Sequence, residues 1–282
     1  MADINYTAVK TATYVNEIVL ALIQETLLAE SVMIPLMTRG NVPEGADRVR
    51  IPRTSALTPV AMVDGVATTP AVPTLAYDSL VIDENWIIAW AETDLARVQS
   101  TPNLVPHIIQ DSARQFALKV DGVAQADIVA NTAAGNQMGY TDFTATTVTL
   151  DMFIGAREKL NMQNVPQGNR WAVFGPEAEA QLLKLDTFVN YSQYGSREAL
   201  LNGQIGRLMG FDIMLSNAGV LAEGQMIFGN PMGVTWDNQP TAGLESEREI
   251  LAKKTNFAMD ILFGTTVLQA GLATVVITDD NP

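Results

Sequence analysis

The chain has 282 residues, 48% hydrophobic and 17% charged, enough to build one large domain or two modest ones with a core that folds unaided, and the opposite of a disordered composition. The low charged share leaves a weakly polar surface, which favours a molecule largely covered by partners. A net charge of −14 argues against affinity-driven binding of phosphate backbones, and the absence of cysteine excludes disulfides, thiolate metal sites and cysteine nucleophiles.

Residues 11–31 follow a helical pattern, with Val15, Ile18, Val19, Leu22 and Ile23 on one face. Pro35, Gly40, Pro43 and Gly45 end it. Two readings stay open: a core helix, or a terminal arm lying on a neighbouring subunit. The apolar run at residues 18–23 is too short to cross a bilayer. No secretory pattern precedes it, so a cytosolic product is expected.

Residues 48–52 (RVRIP) alternate like a strand, Val49 and Ile51 opposite Arg48 and Arg50. Residues 53–78 are rich in Thr, Ala, Val and Pro, and Asp64 is their sole charge between Arg53 and Asp78. The stretch reads as an extended loop or long hairpin projecting from the body. Pro59, Pro70 and Pro73 suit edge strands. Residues 80–91 form a strand with Trp86, Ile88 and Trp90 on one face. Ser100, Thr101, Pro102 and Asn103 announce a helix. Residues 104–130 then carry the longest helical pattern, striped by Leu104, Ile108, Ala113, Phe116, Val120, Ala124 and Ile128. At ~1.5 Å per residue it spans about 40 Å.

A Gly-, Asn- and Thr-rich loop is expected at 131–147, and a helix at 150–160 with Thr149 as N-cap and Asp151 in the first turn. Residues 164–183 read NVPQGNRWAVFGPEAEAQLL: a turn, a buried strand at 171–174, then a helix entered through Gly175 and Pro176. The layout suggests a phosphate-binding turn. However, Glu177 and Glu179 occupy the positive end of the helix dipole that a phosphate needs vacant. Ala178, Leu182 and Leu185 dock this helix on the sheet, and Lys184 lies near its carboxyl end. A polar loop follows at 186–196. Strands are expected within 200–216, 225–236 and 267–278, and residues 245–258 are ambiguous. Mixed elements without a strict strand–helix alternation indicate an α+β class, and no solenoid repeat is present.

No catalytic, cofactor-binding or metal site emerges. His107, the single histidine, has no serine elbow to serve. The acid pairs Asp83/Glu84, Glu92/Asp94 and Asp279/Asp280 lack calcium-loop spacing. Arg48, Arg50 and Arg53 are too few to outweigh the acidic total. Gly203, Gly206 and Gly210 miss the dinucleotide fingerprint, and there is no Walker lysine.

Several stretches, in their order, resemble the major capsid proteins of tailed double-stranded DNA phages, the Hong Kong 97-type fold. They are GADRVRIPRTSALTP from Gly45, SLVIDENWIIAWAETDLARVQS, VPHIIQDSARQFALKVDGVAQADIVA, LDMFIGAREKLNMQNVPQGNRWAVFGPEAEAQLLKL and NGQIGRLMGFDIMLSN. The likeness covers nearly the whole chain. It implies an amino-terminal arm (1–44), an extended-loop hairpin (45–83), a peripheral domain with a spine helix (84–135), an axial domain (136–244) and a return to the peripheral and axial sheets (245–282). It also implies a structural protein without enzymatic activity or cofactor. Its hexamers and pentamers would close into an icosahedral shell within the virion, assembled in the bacterial host cytoplasm. Packaged DNA would be enclosed without specific binding, and no membrane is involved.

Some members cross-link neighbours through a lysine in the extended loop. No lysine lies between Lys10 and Lys119, so that cross-link is not expected. The arm-like helix begins close to residue 1, so a separate scaffolding protein is expected, with portal and decoration proteins as further partners. Rival readings are an encapsulin-like nanocompartment shell, a soluble α+β enzyme with a cleft near His107, and a tail or tube protein.

Overall fold

The computed structural model describes residues 30–279 apart from residues 44, 56, 63, 66, 68, 100–104, 185–205 and 240–243. The expected helix at 11–31 falls outside the described residues except for its last two positions. So do the loop at 186–196, the helix-announcing residues 100–103, and Leu185, Gly203 and Asp280.

Thirteen strands and four α-helices are described: β1 (Thr38–Arg39), β2 (Arg48–Thr54), β3 (Leu75–Val81), β4 (Glu84–Thr93), α1 (Asp94–Gln99), α2 (Val105–Asn131), β5 (Gln137–Gly139), α3 (Leu150–Met162), β6 (Trp171–Phe174), α4 (Pro176–Leu183), β7 (Arg207–Leu208), β8 (Phe211–Leu215), β9 (Met226–Gly229), β10 (Val234–Gln239), β11 (Leu244–Glu249), β12 (Lys254–Val267) and β13 (Thr274–Thr278). They form a five-stranded sheet of β1, β10, β12, β11 and β4, a six-stranded sheet ordered β5-β13-β9-β6-β8-β7, and the separate β2–β3 hairpin.

The six-stranded sheet is buried on both faces, and its sequence shows why. In β6, Trp171 and Val173 join the core around α2, whereas Ala172 and Phe174 join the core under α3 and α4. Ile227 of β9 and Val276 of β13 likewise face α2, while Phe228, Val275 and Ile277 face the other way. Strands covered on both sides read as unbroken apolar runs, as WAVF and MIF do. Phe153, Phe174, Phe211 and Phe228 meet edge-on, with centroids 5.1–6.0 Å apart, a geometry that adds to their area burial.

From Ala113 on the α2 stripe behaves as its spacing predicts: Ala113, Phe116, Val120, Ala124 and Ile128 are all buried, whereas Ile108 is half-buried with Ile109 buried beside it, and Leu104 lies outside the described residues. The five buried positions pack on Met259, Ile261 and Phe263 of β12 and on Val234 and Trp236 of β10 within one apolar cluster. Trp171 closes over Gly229, where a Cβ would lie 2.6 Å from the ring.

Five stretches differ from the expectation. The expected loop at 131–147 contains β5, which pairs parallel with β13. The strand at 80–91 is two strands, because the chain breaks at Ile82–Asp83 as it leaves the hairpin. The strand at 225–236 is also two, split by a turn at Pro231–Gly233 in which the Asn230 carboxamide accepts from the Met232 amide. Its halves lie in different sheets. The β-branched run at 267–278 is interrupted by a turn at Gln269–Gly271. The ambiguous residues 245–258 are a hairpin of β11 and β12. Thr149 does sit at the N-cap of α3, but its hydroxyl makes no capping bond and is buried without a partner.

Candidate assembly surfaces

The described residues among those singled out in the sequence lie apart from one another. His107 is exposed in the opening turns of α2. Asp94 pairs with Arg248, and Glu92 lies on β4 opposite Thr255. Asp83 is exposed between β3 and β4. Among the described residues, no group of three or more His, Asp or Glu side chains could hold a metal, and no helix is long and apolar enough to cross a membrane. Gly206 and Gly210 both take positive φ. Gly210 belongs to the tight β7–β8 turn, a backbone role. Among the described residues, the open surface grooves include one of about 440 Å³ on β4, β12 and β11 and one of about 380 Å³ between α2 and residues 218–220. His107 lines neither.

Residues 164–183 form a turn, a strand and a helix, as read. Glu177 and Glu179 do lie in the first turn of α4, beyond the Gly175 N-cap, and Pro176 takes the first helical position. Ala178 and Leu182 are fully buried. The turn before the strand is organised by Arg170, which the sequence reading missed. Only 2% of Arg170 is exposed. Its guanidinium donates to the Pro166 carbonyl (2.9 Å), the Val165 carbonyl (2.6 Å) and the Asn161 carboxamide (2.8 Å). Desolvation, followed by the charge of Arg157, shifts its pKa down. A buried cation is tolerated where acceptors surround it, and here they are two loop carbonyls and the carboxamide of Asn161 on α3.

A second missed group is Asp121, 1% exposed and set within the apolar stripe of α2. Its carboxylate accepts from the Ser31 hydroxyl, from the Val32 amide (2.9 Å) and from the Met33 amide (3.0 Å). Burial pushes its pKa up, against the lowering effect of those three donors. Asp237 holds the far end of the same segment. It accepts from the Val42 amide at 2.8 Å and pairs with Arg39 at 3.4 Å. Residues 31–42 are therefore a strap clipped at both ends, with Met33, Ile34, Leu36 and Met37 buried between the clips. An acidic residue one step from the stripe position Val120 was the available signal for Asp121.

The β2–β3 hairpin joins the body at its base. The Ile82 amide donates to the Asp47 carbonyl (2.9 Å), Gln239 donates to the Ala46 carbonyl (2.7 Å), and Asp78 accepts from the Gln269 amide (2.9 Å). Val49 and Ile51 are half-buried and Arg48 and Arg50 exposed, as the alternation predicts. Beyond the base, Leu57, Val60, Met62, Val72, Leu75 and Tyr77 are between 56% and 90% exposed. A solvated two-stranded hairpin is marginal alone, and an exposed apolar set of this kind marks an interaction surface.

With this geometry established, known structures were compared. A structure from Mycobacterium phage Che8 superposes with a TM-score of 0.71 at 21% identity, over 88% of this chain and 90% of that one. The capsid of cyanophage P-SCSP1u gives 0.68 at 16% identity, over 88% and 87%. The mature capsid of bacteriophage PhiM1 gives 0.69 at 12% identity, over 89% and 88%. The chain has a phage-capsid fold. No protein-family model matches the sequence, and no curated protein matches it. The likeness spans nearly nine-tenths of both chains.

Proposed function

We propose that the chain is a major capsid protein, a structural coat subunit without enzymatic activity. Its hexamers and pentamers close into an icosahedral shell around a double-stranded DNA phage genome. The observation that carries this reading is a capsid fold matched over about nine-tenths of both chains. The exposed apolar hairpin supports it, because rings that close into a shell need large contacts between copies, roughly 2,000 Å² or more. In this reading residues 1–44 are the arm, 45–83 the extended loop, 84–135 the peripheral domain, 136–244 the axial domain and 245–282 the return to both sheets. The net charge of −14 fits a container whose DNA is driven in by a motor and not captured by the coat. A separate scaffolding protein and a portal are its expected assembly partners, with decoration proteins as further candidates.

Negative-stain microscopy of the protein, alone and co-expressed with its scaffold, tests the reading. Closed shells, or hexamers and pentamers, are expected. A discrete monomer under every condition would overturn it. Shells filled with an enzyme in place of DNA would identify a nanocompartment.

A further inference from the structure

We propose that the groove between α2 and residues 218–220 seats a segment of the same chain, residues 11–29, as an amphipathic helix. The inference rests on the reading of residues 1–44 as an arm, and it places the helix of that arm on its own subunit and not on a neighbour. Gln115, Leu118, Lys119, Gly122, Val123 and Val220 line the groove, whose volume is about 380 Å³. Leu118 is 36% and Val220 41% exposed, so apolar surface stands open there. The strap shows where the segment arrives. Glu30 is helical, and it pairs with Arg114 of α2 at 3.4 Å. The next residue, Ser31, donates to Asp121. Arg114, Leu118 and Asp121 are spaced i, i+4, i+7 and so share one face of α2. The chain therefore reaches α2 along the Leu118 edge of the groove.

Length and pattern fit the seat. Counting back from Glu30 along a helix, Leu22 and Ile23 lie about 10–12 Å away and Ile18 and Val19 about 16–18 Å. The groove runs from Gln115 to Ala126, roughly 16 Å of α2. A helix running back antiparallel to α2 from the Glu30–Arg114 pair thus lays Ile18, Val19, Leu22 and Ile23 along the whole groove. Charge supports the same occupant. Within residues 11–29 the sole charges are Glu17 and Glu25. Lys119 is the one charged side chain lining the groove, held over the Trp86 ring at 3.6 Å from its centroid. On a chain of net charge −14 an acidic helix is repelled over most of the surface and attracted here. The short tether gives the chain's own segment a far higher effective concentration at the groove than a second copy reaches in dilute solution.

The lack of cysteine gives a direct test. The full-length Leu22→Cys/Leu118→Cys chain, dilute and unassembled, is treated with a short bismaleimide. Leu22→Cys/Met162→Cys is the control, its second site on α3 being 64% exposed. Each sample mixes heavy-isotope-labelled and unlabelled protein, and the cross-linked peptides are weighed by mass spectrometry. Cross-links joining peptides of the same label are expected for the first variant and not for the control. Separately, Leu118→Glu/Val220→Glu changes two partly exposed positions and should keep its melting temperature. Amide exchange at residues 15–23 should then be about tenfold faster than in the wild type, because like charges now face Glu17 and Glu25. Cross-links of mixed label would assign the groove to a second copy. Absent cross-links, equal cross-linking in the control, or unchanged exchange would show that the segment does not seat there. Each of these results overturns the proposal and leaves the capsid reading intact, since microscopy decides by itself whether shells form.

Discussion

Gly264 of β12 lies against the carbonyl of Val81, so closely that a Cβ at Gly264 would sit 1.9 Å from that oxygen. The hairpin leaves the body at this point. Its exit direction is set by backbone packed on backbone, which a flexible side chain cannot relieve. Gly264→Ala should push β3 away from β12 and destabilise the subunit by about 1–3 kcal/mol, the usual cost of overpacking. Urea unfolding measures the loss. A change in assembly larger than the stability loss explains would show that the hairpin direction itself matters. An unshifted midpoint would show that the contact yields freely.

The hairpin tip can be removed without touching its base. The Ser55 amide donates to the Thr74 carbonyl at 3.0 Å, and the Ser55 hydroxyl accepts from the Thr74 amide at 3.0 Å. A short glycine-containing turn can therefore bridge these positions in place of residues 57–72. The subunit should fold with an unchanged melting temperature, because the described residues among those deleted are exposed and outside both cores. Shell formation should fail. Shells of normal yield from the shortened chain would remove the hairpin from the assembly contacts.

Asp121 makes the stability pH-dependent with a definite sign. Its native pKa is raised above the ordinary 3.8, chiefly by desolvation. The native state thus binds the proton more tightly than the unfolded chain does. Its contribution favours folding fully below 3.8 and is lost as pH rises through the raised native value. Asp121→Asn keeps the shape of the protonated acid, so the stability of the wild type relative to this variant should fall with rising pH across that window. Asp121→Ala should behave differently. It orphans the Ser31 hydroxyl and two strap amides, at about 1–3 kcal/mol each. Denaturant midpoints of the three proteins from acid to neutral pH check both statements; a flat difference between wild type and Asp121→Asn would contradict the sign.

Much of this architecture was legible from local pattern. The α2 stripe, the buried WAVF strand, the Gly175–Pro176 helix entry and the alternation of residues 48–52 all depend on periodicity and backbone chemistry within a few residues. Those are properties of the chain itself. The first-turn glutamates of α4 argue against a phosphate there for the same local reason.

Other features exist only after the chain has closed on itself. The 226–229 and 234–239 strands look continuous until each finds its own sheet, since pairing partners far away in sequence decide where a strand ends. Asp121 gains its partners from a strap about ninety residues earlier, and Gly264 gains its constraint from a carbonyl on another strand. Ile250 and Leu251 look unremarkable among charged neighbours until the β11–β12 turn lifts them into solvent beside α1. Composition, acidity and helix phase belong to the sequence alone. Which carboxylate is a clip, which glycine is a pivot and which leucines are left uncovered are tertiary facts, because burial and hydrogen bonding depend on what is near in space and not on what is near along the chain.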